Sequence, residues 1–493
     1  MNVQFKKGLA NIVTLMLLGI LANTGFAQAE LKPNILLIII DDLRPMLGVY
    51  GNKLINTPNI DQLASDGYVF ENAFATVPVC GASRASLLSG RKPTTNRFTT
   101  YNSRLDKDLP NAPSIPEHFK NNGYLTLANG KIFDNFTDSV DSWSWPVWSP
   151  TGSWTSSIPF DERGEHLQKA YLNNAAGVVG PAFEQLDVPD ASYPDGKIAD
   201  KTIQDLKRLG DSGSAFFLAM GIRKPHLPFN IPQKYWDLYK KEDFTLPVTY
   251  MEKAKSTPSY AFHQWGELRQ YGGIPAEGPL QDSHALNLIH GYHAAVSYAD
   301  AQVGKVMRTL KEEGLDKNTV VILIGDHGFH LGEHSMWTKH SLFDLALRSP
   351  MIIRDPNRGG GRVTGVTDFL DIFPTLIDMA GLPDIENLDG VSLLPALNNP
   401  TVNVKPASLS RWFDGTSVRT QHHRYTEWRS ESGKITARML FDLSNDPNET
   451  TNLAEDPQYS ELVLKLSEVI TQDDSNSPWS PLVRFVVNTR AGT

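Results

Sequence analysis

Asn34-Ile-Leu-Leu-Ile-Ile-Ile40 runs directly into Asp41-Asp42, and Thr319-Val-Val-Ile-Leu-Ile-Gly325 runs directly into Asp326-His327. Apolar runs of this length, continuous rather than alternating, fit strands covered on both faces. Ala215-Phe-Phe-Leu-Ala-Met-Gly221 is a third such run and leads to Arg223-Lys-Pro-His226. A weaker one, Tyr124 to Ala128, leads to Gly130-Lys131, and Met351-Ile-Ile-Arg354 is a fifth. Helical patterns lie between them at Ile60 to Asp66, Ala85 to Leu88 and Ser297 to Glu313. Strands alternating with helices predict an α/β protein with a mostly parallel sheet flanked by helices. Ligands bind such sheets beyond the carboxyl ends of the strands. Four of these strand ends deliver polar or charged residues, so the site is expected there.

The character changes from about Asn398. Ser417-Val-Arg419, Arg424-Tyr-Thr-Glu-Trp428 and Arg438-Met-Leu-Phe-Asp442 predict a small antiparallel sheet, closed by a helix near Tyr459 to Thr471. At the other end, Lys6 and Lys7 precede the short apolar run Ile12 to Leu21, and Ala27-Gln28-Ala29 supplies small residues for a signal peptidase. The expected organisation is a signal peptide over 1–29 cleaved after Ala29, a main domain over 30–397 and a C-terminal subdomain over 398–493. The apolar run is too short for a membrane span, and the mature chain is expected to be periplasmic or secreted. Of the 493 residues, 40% are hydrophobic and 20% charged, as in a globular protein. The net charge of -9 argues against nucleic-acid binding.

The chain has one cysteine. In an exported protein it cannot form an internal disulfide, so it is either buried and inert or chemically special. It opens the stretch Cys80-Gly81-Ala82-Ser83-Arg84, at a loop-to-helix junction preceded by Pro78. A helix N-terminus favours anions through its free N–H groups, and Arg84 one turn on adds a fixed cation. The bland alternative is a buried thiol at an ordinary helix start. Asp41-Asp42 could likewise be a helix cap with a solvated neighbour, but the Asp326-His327 pair ending another buried strand weakens that reading.

Cys80 to Arg84 matches the pattern Cys or Ser, any residue, Pro or Ala, any residue, Arg. With Asp41-Asp42, Thr57-Pro-Asn-Ile-Asp-Gln-Leu63, Asp326-His-Gly328, Gly390-Val-Ser-Leu-Leu-Pro395 and Phe441-Asp-Leu443, it resembles the formylglycine-dependent type I sulfatases of the alkaline-phosphatase superfamily. Lys224-Pro-His-Leu-Pro-Phe229, Asp326 to His334 and Trp337-Thr-Lys339 bring it nearest to the iduronate-2-sulfatase-like branch. The resemblance implies an alkaline-phosphatase-like fold and sulfuric ester hydrolysis. It also implies that a formylglycine-generating or anaerobic sulfatase-maturating enzyme oxidises Cys80. The hydrated aldehyde then attacks sulfur with one hydroxyl and expels sulfate with the second, a covalent route.

Carried over residue by residue, the resemblance makes Asp41, Asp42, Asp326 and His327 metal ligands, with the modified Cys80 completing the shell. Three carboxylates favour calcium, and the imidazole leaves magnesium or manganese open. Arg84, Lys131 and Lys339 would hold sulfate oxygens, and His226 would protonate the leaving alcohol. One position departs from the pattern: Asp134 stands three residues after Lys131, where the family has His. Asp134 is expected at the substrate, with His330 or His334 as candidates to take the missing imidazole's place. Trp143, Trp145, Trp148 and Trp154 could stack on sugar rings or pack onto the core. The substrate expected is a sulfated polysaccharide or oligosaccharide, such as one with a 2-O-sulfated uronic acid. A phosphodiesterase or phosphonate hydrolase and a non-catalytic carbohydrate-binding relative are the competing readings.

Overall fold

The structure, a computed structural model, describes residues 32–150 and 180–474. The expected signal peptide and Trp154 lie outside these residues. Seven strands form the main sheet: β1 (Asn34–Ile40), β2 (Tyr68–Phe74), β3 (Leu125–Gly130), β4 (Phe216–Ile222), β5 (Thr319–Gly325), β6 (Met351–Arg354) and β7 (Gly361–Asp368). Their order is β7-β2-β6-β5-β1-β4-β3. Side chains alternate between the two faces of a strand, and β1 shows why no position can be polar. Leu36, Ile38 and Ile40 enter one core, while Ile35, Leu37 and Ile39 enter the other. All six are fully buried, and each contributes about 1.5–3 kcal/mol.

The first core is covered by α1 (Pro58–Ser65), α3 (Pro194–Ser212) and the 31-residue α4 (Asp282–Glu312). The second is covered by α2 (Cys80–Ser89) and α5 (Ile372–Ala380). In α3 the buried Ile198, Ala199, Thr202, Leu206 and Leu209 follow helical spacing, which gives its long polar sequence one apolar stripe.

One expected parallel strand runs the other way: β6 is antiparallel to both neighbours. After β5 the chain stays at the carboxyl end of the sheet through residues 326–350, where it builds the site. It therefore re-enters the sheet from that same end.

Ala407–Trp412, Gly415–Thr420, His423–Arg429 and Ile435–Asp442 form a four-stranded antiparallel sheet, β8 to β11, packed against the helix Ser460–Asp474. Phe343, Leu347, Trp428, Met439 and Phe441 join this sheet to the main one through a separate apolar cluster. Across the junction, Asp344 receives Arg419 and Arg424, each at 2.8 Å. Among the described residues no helix is long and apolar enough to cross a membrane.

Candidate active site

Four strand ends converge as the apolar runs anticipated. Asp41 and Asp42 follow β1, Lys131 follows β3, Arg223 to His226 follow β4, and Asp326 and His327 follow β5. Asp42 adopts a positive φ of 57°, which is uncommon for a residue with a Cβ. Its N–H donates to Asp326 Oδ1 at 3.0 Å, and its carbonyl accepts from Tyr292 Oη at 2.7 Å. This turn brings the carboxylates of Asp41, Asp42 and Asp326 together, with oxygens within 4.8 Å of one another and all three residues buried.

Cys80 is the first residue of α2, and no side chain caps the helix. Its Sγ lies 3.2 Å from His327 Nε2 and 3.8 Å from Asp42 Oδ1. Burial first, and then the Asp41 carboxylate, push the Cys80 thiol well above its ordinary pKa. His327 Nδ1 lies 2.9 Å from its neighbour's carbonyl, Gly328 O. Donation there leaves the Nε2 lone pair facing the cluster, the orientation a metal-ligating imidazole requires.

Arg84 is fully buried and crosslinks the strand ends. It donates through Nε to Asp326 at 2.8 Å, through Nη2 to Asp41 at 3.1 Å, and through Nη1 to the carbonyls of Lys131 and Ile132. Lys131 Nζ bridges Asp41 at 2.7 Å and Asp134 at 2.8 Å. Lys339 Nζ bridges Asp42 at 3.0 Å and Glu267 at 2.8 Å. Burial raises the Asp41 carboxyl, but Lys131 and Arg84 outweigh it and hold the group well below the ordinary range. Asp326 keeps the opposite balance: burial wins over His327 and Arg84, and its pKa is raised.

His226 Nε2 lies 3.1 Å from Glu267 Oε1, and its Nδ1 lies 2.6 Å from Leu227 O. Both ring nitrogens thus meet acceptors, an arrangement that suits imidazolium. Burial alone would lower its pKa; Asp42, Asp41 and Glu267 outweigh burial and raise it.

A cavity of about 1010 Å³ opens over these groups, lined by Cys80, Lys131, Asp134, His226 and Lys339. Tyr101, Phe136 and Phe413 line it too and are exposed, which places aromatic rings at its mouth. Phe413 belongs to the β8–β9 turn, so the C-terminal sheet contributes to the cavity wall.

His330 and His334 do not fit the expectation of substrate contact. Residues 330–331 pair with 337–338 in a small hairpin, and both imidazoles pack against Phe343. Both are buried, burial lowers both pKa values, and neither lines the cavity. Packing also takes the tryptophans. Trp143 is buried and Trp148 packs against the core, while Trp145 stays exposed with Arg208 over its ring at 4.9 Å, and none of the three lines the cavity. Glu267 was not anticipated from the sequence. It lies beside the short turn Leu268–Gln270, in an irregular stretch with no periodicity to flag it. Trp412 and Phe413 did carry a signal, the Asp414-Gly415 dipeptide that marks a nearby hairpin, although the turn itself is Phe413-Asp414.

The family described as Sulfatase matches residues 33–382, and that described as N-sulphoglucosamine sulphohydrolase, C-terminal, matches residues 332–476. Iduronate 2-sulfatase of Mus musculus is 32% identical, over 88% of this chain and 93% of the relative. Among solved structures, a protein in complex with its substrate D-glucosamine-2-N,6-O-disulfate superimposes with a TM-score of 0.73 at 21% identity, over 91% of this chain and 99% of the other. The phosphonate monoester hydrolase of Agrobacterium radiobacter superimposes with a TM-score of 0.70 at 23% identity, over 90% and 95% of the two chains. At these identities the two superpositions speak for the alkaline-phosphatase-like fold alone. The match to the family over most of the chain decides the activity: this chain belongs to the sulfatases, hydrolases of sulfuric esters.

Proposed function

We propose that the chain removes sulfate from a sulfated saccharide, with a 2-O-sulfated uronic acid unit as the favoured substrate, using formylglycine at Cys80 and a divalent cation. The observation that carries this reading is the surroundings of Cys80 at the cavity: His327 and Asp42 touch its sulfur, and Arg84, Lys131 and Lys339 stand around the adjoining carboxylates. In the mature protein the Sγ position stands in for oxygen. Oxidised to formylglycine and hydrated, residue 80 would supply one hydroxyl to attack sulfur and a second to expel sulfate.

The residues present fit a metal. Within the ion-paired set, Asp41, Asp42, Asp134, Glu267 and Asp326 face three permanent cations, Arg84, Lys131 and Lys339. With His226 as imidazolium on Glu267 at 3.1 Å, five carboxylates meet four cations, so the set stays net negative and suits a bound cation. Asp41, Asp42, Asp326 and His327 would hold it. Three hard oxygen donors favour calcium, with magnesium or manganese the alternatives. Such an ion would offset charge on the transferring group.

The remaining roles belong to the chain. Lys131 and Lys339 bring ammonium groups to the sulfate position, and Arg84 fixes the carboxylates on which that position is built. His226, held between Glu267 and the Leu227 carbonyl, gives its proton to the leaving alcohol. Asp134 shares Lys131 with Asp41, so its charge is partly offset before substrate arrives. The similarity to iduronate 2-sulfatase and the aromatic mouth of the cavity support a saccharide. With the leader expected over 1–29, the site of action is periplasmic or extracellular, after maturation by a formylglycine-generating or anaerobic maturating enzyme.

Coexpression with a maturating enzyme tests the reading. The Cys80 peptide should carry formylglycine by mass spectrometry, and the protein should release sulfate from a 2-O-sulfated uronate disaccharide until a chelator removes the cation. Full turnover with an unmodified thiol, or turnover indifferent to chelation, would overturn it.

A further inference from the structure

β3 and β4 run parallel with Gly130 opposite Gly221. A Cβ on Gly130 would collide with the Gly221 carbonyl, and one on Gly221 would collide with the Lys131 backbone. The two glycines therefore let the strand ends close on each other, with Lys131 N donating to Gly221 O at 3.1 Å. From this pinch one chain continues to Asp134 and Phe136, and the other to Arg223. Arg223 lines the cavity, half-buried, with its guanidinium carbon 5.7 Å from the centroid of the Phe136 ring. Among the described residues its side chain makes one hydrogen bond, a long 3.4 Å contact to Ser149 Oγ. The other cations of this wall are engaged. Lys131 holds two carboxylates, Lys339 holds two, and Lys224 donates to the carbonyls of His226 and Pro228. Among the described residues no carboxylate forms an ion pair with Arg223. A guanidinium in this state retains unused donors in a planar fork matched to carboxylate and sulfate oxygens.

We infer that Arg223, steadied by Phe136, is a specificity residue that binds a second anionic substituent, a carboxylate or another sulfate, on the sugar whose sulfate is removed. This rests on the saccharide sulfatase reading above. The strand pairing places Arg223 one strand over from Lys131, so the second anion is read beside the reacting sulfate.

The test compares the matured wild type with Arg223→Gln and Arg223→Lys on three substrates: a 2-O-sulfated uronate disaccharide, an N,O-disulfated glucosamine and a neutral monosulfated galactose. The wild type should prefer one or both doubly anionic sugars. Arg223→Gln should lower the ratio of their kcat/KM to that of the neutral sugar about 10-fold or more, mainly through KM, and Arg223→Lys should lower it less. The arm that responds separates carboxylate from sulfate. An unchanged ratio, or an equal loss on all three sugars, overturns the inference while the saccharide reading stands. A wild type that cleaves 4-nitrophenyl sulfate and none of the three sugars removes the saccharide reading, and the inference with it.

Discussion

Arg84→Met keeps an unbranched side chain in place and deletes the guanidinium. Two buried carboxylates then lose a partner: Asp326 at 2.8 Å and Asp41 at 3.1 Å, with side-chain exposures of 0% and 2%. They are not equally stranded. Asp41 retains Lys131 at 2.7 Å, whereas Asp326 keeps no Lys or Arg among the described residues within 4 Å. The cost is therefore that of one broken buried pair, about 3–5 kcal/mol, rather than two. Urea unfolding in the presence of chelator measures it directly. With Arg84 gone, the Asp326 pKa, already raised by burial, should rise further and add proton uptake on folding. Repeating the titration in calcium gives the second readout. A cation held at about 100 times its Kd stabilises by about 2.7 kcal/mol, and it should rescue the variant more than the wild type because it replaces the missing charge. A loss below about 1 kcal/mol in chelator would refute the view that Arg84 neutralises the cluster.

Cys80→Ala should abolish sulfate release while shifting the unfolding midpoint little, since the side chain is small and the loss is at most about 1 kcal/mol; retained turnover would contradict the assignment. Glu267→Gln removes a carboxylate that raises the His226 pKa, so the basic limb of the pH–kcat profile should move to lower pH. A profile that stays in place would show that His226 is not the acid. Asp344 is raised by burial but pulled well below the ordinary carboxylate range by Arg419 and Arg424. Its contribution is therefore present above the unfolded pKa of about 4 and lost as pH falls towards the folded value. Asp344→Asn should cost about 2–3 kcal/mol at neutral pH and flatten the acid side of the stability curve; parallel curves for the two proteins would refute this.

The central strands were legible because a strand buried on both faces must be apolar at every position, and Ile35 to Ile40 and Val320 to Ile324 meet that condition without exception. β2 and β7 were not legible for the opposite reason. β7 lies at an edge of the sheet, with exposed Arg362 and Thr364, and β2 carries partly exposed Glu71 and Asn72 at its centre. The Met351–Arg354 run located a strand but not its direction, because burial on both faces imposes the same composition on parallel and antiparallel neighbours. Direction followed from residues 326–350, whose work at the carboxyl end leaves the chain no crossover.

The site divides along the same line. Residues fixed to strand ends or to the start of α2 could be placed from sequence, since the strand pattern states where they emerge. Glu267 could not, and its omission changes the electrostatics. Without it, four carboxylates meet Arg84, Lys131, Lys339 and the His226 imidazolium and the set is neutral; with it, one negative charge remains. Glu267 also joins Asp42 in holding His226 and Lys339 charged against burial, at 3.1 and 2.8 Å. Asp134 fits the same accounting. A carboxylate in place of the family's imidazole would repel sulfate if it stood alone, but Lys131, shared with Asp41, lies 2.8 Å from it and offsets part of its charge. Asp134 and Asp41 thus share one ammonium, and the set keeps a net negative charge that a bound cation would offset.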